Sequence, residues 1–172
     1  MRRKLFASLL LVISAPGWSG PIAEQFGSGY EGVKWGSPLA DLVGMLPQGE
    51  HYFSTAPGER VYIVRNDDPL LGVPRTGNRV QYHFGKDGGV ESIAIGVPYD
   101  RYQQLLGALI SQFGPYAASR DVGAVTKFWW KEDQGVVIAV RVSREARYGI
   151  AEFWIGHPPS PPGKVVTKCG AS

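Results

Sequence analysis

The segment from Asp100 to Pro115 most limits what this chain can become. Asp100 has the chemistry of a helix N-cap, and Gln103 three positions on completes a capping-box pattern. Tyr102, Leu105, Leu106, Leu109, Ile110 and Phe113 recur at the spacing of one helical stripe. Gly114 offers the residue that ends a helix, and Pro115 forbids its continuation. The spacing predicts a helix over 101–113 with one apolar side in need of a cover. What precedes it has a different period. Val80, Tyr82 and Phe84 alternate with Arg79, Gln81 and His83, and Ile93, Ile95 and Val97 share one face of the run 90–97. Glycine-rich residues 85–89 join the two runs as an antiparallel hairpin.

The same succession occurs twice. An earlier helix is predicted over 38–46, with Ser37 as N-cap, Pro38 at the first position, and Leu39, Leu42, Val43 and Leu46 on one stripe. Val61–Val64 reads as a strand after it. Beyond the second helix, Val125–Trp130, the alternating Val136, Ile138, Val140 and Val142, and Tyr148–Ile155 read as three more. Neither half can bury its own sheet face, so the expected fold is α+β. Two tandem helix-plus-meander units, of about three strands each, form one antiparallel sheet with two helices packed on one face.

The ends read differently. Arg2, Arg3 and Lys4 precede the apolar stretch Leu5–Ala15 and small residues, the layout of a secretory signal peptide over 1–19. The apolar stretch falls short of the roughly 20 residues a membrane-spanning helix needs. A mature start between Trp18 and Glu24 follows, with no transmembrane segment after cleavage and a periplasmic or secreted location. Residues 20–32 read as a flexible glycine-rich leader, 33–156 as a single α+β domain, and 157–172 as a Pro-rich disordered tail. Three of the 18 basic residues lie in the signal, which leaves 15 basic and 15 acidic residues in the mature chain. A neutral chain lacks the net basic character of nucleic-acid binders. The single cysteine, Cys169, excludes an internal disulfide and sits in the tail.

Catalytic and metal-binding patterns are missing from the sequence. His51, His83 and His157 have no second ligand at metal-binding spacing, and Cys169 has no neighbouring base. Gly27-Ser28-Gly29 is the nearest approach to a serine-hydrolase elbow, without a preceding strand. Asp67 and Asp68 between Asn66 and Pro69 fit a solvated turn. The glycines at 85, 88 and 89 lead into a strand and carry no phosphate-loop Lys. No cofactor is expected.

Two features remain as binding candidates. The long connection from Arg65 to Asn78 carries Leu70, Leu71 and Val73, and apolar residues on a long loop suggest a contact surface. The adjacent Trp129 and Trp130 must point to opposite sides of a strand, so a sheet covered on one face exposes one of them. The element order after a signal peptide, with Trp35-Gly36-Ser37 at the head of the first helix, resembles the β-lactamase inhibitor protein group and the small SmpA-type envelope lipoproteins over residues 33–156. This chain lacks the paired cysteines of the former and the lipid-bearing cysteine of the latter. The resemblance implies an exported protein that works by binding proteins. The expected function is a non-enzymatic protein-binding domain, an inhibitor or immunity-type partner of a periplasmic enzyme. A small-ligand or envelope-glycan binder using the open sheet face is one alternative, marked by a shallow aromatic trough. The other is a hydrolase with a site scattered through the sequence, marked by a deep polar pocket.

Overall fold

The computed structural model describes residues 20–53, 60–75, 79–143 and 150–156. In chain order these form helix α1 (Pro21–Phe26), a small hairpin of β1 (Gly29–Tyr30) and β2 (Val33–Lys34), and helix α2 (Leu39–Met45). Strands β3 (Glu50–Phe53), β4 (Arg60–Arg65), β5 (Arg79–Phe84) and β6 (Val90–Pro98) follow. A 3₁₀ turn at Tyr99–Arg101 leads into α3 (Tyr102–Phe113). Strands β7 (Ala118–Val122), β8 (Val125–Trp129), β9 (Val137–Ser143) and β10 (Ile150–Gly156) complete the chain. The fold is α+β, built on an eight-stranded antiparallel sheet of order β3-β4-β5-β6-β10-β9-β8-β7.

Pairing register places the core on one face. Val64, Val80, Ile95, Phe153 and Val140 stand opposite one another in successive strands. They belong to one cluster with Ile22 and Phe26 of α1, Leu42 of α2, and Leu105 and Leu109 of α3. Phe26 joins the layers, its ring 5.8 Å from Phe113 and 5.9 Å from Phe153. Val61 and Ala94, buried on the opposite face, lie outside that cluster. The helices therefore cover one face, and among the described residues no element covers the other.

Residues 20–32 are not a loose leader. They form α1 and the β1–β2 hairpin, and Ile22, Phe26 and Val33 are core residues. The Asp133 carboxylate accepts from the amides of Gly20 (3.2 Å) and Ala23 (2.8 Å), capping α1 from a turn 110 residues away. The Trp35 indole donates to the Phe26 carbonyl at 2.8 Å and fixes the end of the same helix. A cap so distant leaves no local signature, and six residues offer too short a stripe to read.

Helix starts also differ from expectation. Asp100 lies in the 3₁₀ turn and Arg101 takes the N-cap position of α3, without a side-chain cap. Gln103 donates to the Tyr102 hydroxyl instead of closing a capping box. Pro38, not Ser37, takes the N-cap position of α2, without a side-chain cap, and Ser37 is drawn into pairing with the β6 side: Gly36 donates to the Val90 carbonyl and Val90 donates to the Ser37 carbonyl. Gly89 permits that approach, since a Cβ there would lie 2.7 Å from Gly36. The Tyr62 hydroxyl donates to the Leu46 carbonyl at 2.6 Å and so satisfies the end of α2. Val43 and Ile110, read as stripe residues, are exposed.

Each meander has four strands where three were expected. The additions are the edges β3 and β7, and every residue of β7 is exposed. An edge strand with no buried side carries no apolar alternation to read.

Candidate functional site

The apolar connection after Arg65 does not present its side chains outward. Leu70 is 3% exposed and Val73 1%, and Leu71 packs partly on the core. Leu70 and Val73 exchange both backbone hydrogen bonds, at 3.0 and 2.9 Å, around Leu71 (φ 51°) and Gly72 (φ 77°). Positive φ at both central residues makes this a tight primed turn, the same device that closes Glu31-Gly32 and Gln134-Gly135. It folds Leu70 and Val73 under the chain. Arg75, also buried, donates from Nε to the Asp68 carbonyl and ties the loop shut. The expected binding loop is therefore a core plug; residues 76–78 lie outside the described residues.

Burial governs two tyrosines near it. Burial, then the Glu31 carboxylate, raise the Tyr30 hydroxyl well above its ordinary value, and burial does the same to Tyr82. Raised native values mean that stability is fully present below the ordinary tyrosine range near 10 and falls as pH climbs above it. In an alkaline titration followed by tyrosinate absorbance, Tyr30→Phe and Tyr82→Phe should each remove amplitude only from the phase that accompanies unfolding. Removal of amplitude from the first, reversible phase would show that the hydroxyl titrates in the folded protein.

Trp129 and Trp130 separate as strand geometry requires. Trp130 is buried with the core, and its indole donates to the Gly114 carbonyl at 2.8 Å, tying the end of α3 to the exit of β8. Trp129 is half-buried on the other face. Register there defines lanes running across the strands. One lane reads Ile63, Gln81, Ala94, Trp154, Ala139, Trp129, Ala118. Its alanines leave the two indoles as the relief of the face, two strands or roughly 10 Å apart. Trp154 packs at a tilt against His83 with ring centroids 4.9 Å apart, and Tyr52 is exposed at the edge.

The neighbouring lane is charged. Arg65 faces Arg79 across β4 and β5. Gly96, Glu152, Arg141, Lys127 and Arg120 then stand opposite one another from β6 to β7. Glu152 pairs with Arg141 at 3.5 Å, an exposed contact of small worth. Sequence reasoning took Trp129 but not Trp154 as a contact residue, and it missed the cations. Strand alternation marks each as outward-facing, whereas their alignment depends on strand order.

A second concavity, of about 340 Å³, lies beside the β1–β2 hairpin, with Gln25, Tyr30, Glu31 and Lys34 in its wall. Among the described residues no group of three or more His, Cys, Asp or Glu converges to hold a metal ion. Nor, among them, is any helix long and apolar enough to cross a membrane.

No family model and no curated protein matches the chain. Among solved structures it is similar to a DUF4309 family protein, YjgB of Bacillus subtilis, at 15% identity and a TM-score of 0.47, over 73% of this chain and 82% of that one.

Proposed function

We propose that this chain is an exported, non-enzymatic protein-binding domain, an inhibitor or immunity-type partner of a periplasmic or envelope protein, and that the partner docks on the open sheet face. Residues 1–19 supply the export signal in this reading, and the sheet is two tandem helix-plus-meander units joined at β6 and β10. The observation that carries the proposal is the lane holding Trp129 and Trp154, covered by no described element, beside a lane of arginines. Trp, Tyr and Arg are the residue types that dominate binding energy at protein interfaces. The face is also large enough. Eight strands at about 4.8 Å spacing, with about 20 Å of strand length, present roughly 700 Å², close to the about 800 Å² per partner of a standard interface.

A glycan binder is the second reading, favoured by the alanine-floored trough around the two indoles. A photoreactive phenylalanine analogue at position 129 tests the docking face, with position 110 on the exposed side of α3 as control. Exposure to an envelope extract should yield a protein adduct at 129 and not at 110. Equal adducts at both positions, or none at 129, would defeat the docking face. Trp129→Ala should shift stability far less than a core truncation, because its ring lies outside the helix-side cluster.

A further inference from the structure

We infer that the surface recognised by the open face is acidic, a protein surface whose carboxylates meet the lane Arg65, Arg79, Arg141, Lys127 and Arg120. The inference rests on the docking face proposed above and adds the chemistry of the partner. Three cross-strand neighbour pairs in this lane carry like charge: Arg65 with Arg79, Arg141 with Lys127, and Lys127 with Arg120. Like charges directly opposite one another destabilise a sheet. The pairing registers place only two acidic residues on this face among the described ones, Glu50 and Glu152. Glu152 reaches Arg141, and Arg65, Arg79, Arg120 and Lys127 form no ion pair with a described residue. Among its described residues, a chain with equal numbers of both signs after residue 19 has therefore gathered an excess of cations on the face opposite the helices.

Protection of sheet edges does not account for them. Edges are blunted by charges on edge strands, whereas Arg65, Arg79, Lys127 and Arg141 lie on β4, β5, β8 and β9, all interior to the sheet. Four of the five cations are arginine, whose planar fork takes carboxylates in pairs. Arginine is enriched at protein interfaces and lysine depleted. Arginines bordering tryptophans thus favour a folded acidic protein surface over an anionic polymer held by charge alone.

Lys127→Glu separates this from a structural role, because it should move stability and binding in opposite directions. A glutamate between Arg120 and Arg141 turns two repulsive pairs into attractive ones, so the melting temperature should rise. Binding of a fluorescent oligoglutamate peptide, measured by anisotropy near physiological salt, should weaken about tenfold or more, the equivalent of about 1.4 kcal/mol. Wild-type affinity should fall as salt is added, and Arg101→Glu, at the start of α3 and off the lane, should leave binding unchanged. Absence of oligoglutamate binding, or binding indifferent to Lys127→Glu, would overturn the inference. A lower melting temperature for Lys127→Glu would overturn its electrostatic basis. Tighter binding of polygalacturonate or oligothymidylate than of oligoglutamate would reassign the face to an acidic polysaccharide or a nucleic acid. A position-129 adduct that survives Lys127→Glu would preserve the docking face while removing the acidic partner. Absence of that adduct when Lys127 is retained would remove the docking face itself.

Discussion

Phe153→Ala should cost the fold about 3–5 kcal/mol, the usual penalty for deleting a fully buried aromatic side chain. Phe153 has no solvent exposure and sits on β10, between β6 and β9, where the two halves of the sheet meet. Its ring lies 5.9 Å from Phe26 of α1, so truncation opens a void between the helix layer and the seam. Surrounding strands are held by hydrogen-bonded ladders on both sides and cannot collapse into that void. Urea unfolding is the direct measurement, with a lower midpoint and an unchanged slope marking lost stability rather than an altered unfolded state. A loss below about 1 kcal/mol would mean that the seam is not packed as described.

Leu70→Ser is expected to be nearly as damaging, at about 3 kcal/mol or more, because it deletes a buried aliphatic side chain and leaves a hydroxyl in its place. A solvated binding loop would respond by roughly half a kcal/mol or less. The two readings of the connection after Arg65 thus separate in one unfolding curve. Leu71→Ser should be milder, since Leu71 is only partly covered. Equal and negligible effects at both positions would show that the plug is open in solution and would return the loop to the list of binding surfaces.

Central residues of the local patterns were read correctly, whereas the Asp100–Gln103 capping box and the stripe positions Val43 and Ile110 were not. The α3 stripe places Leu105 and Leu109 in the core, and the alternation of Val80, Tyr82 and Phe84 buries all three. The other misreadings arose where the deciding partner lies far along the chain. α1 is capped by Asp133, Ser37 is diverted by Val90, and β7 has no buried side to betray it. Leu70 and Val73 looked like spare apolar residues because a primed turn with a non-glycine first residue, Leu71, has a weak sequence signal.

By itself the sequence determined the α+β class, two principal helices, the inward lanes of β5, β6 and β9, and the opposite directions of Trp129 and Trp130. Each follows from a repeat of 3.6 or 2 residues, which the backbone imposes without reference to anything distant. Only the tertiary structure decided that Leu70 plugs the core, that residues 20–32 belong to the domain, and that five cations and two tryptophans form adjacent lanes. Lanes run perpendicular to the strands, so their membership depends on strand order and register. Those are set by which apolar faces bury one another across the whole chain.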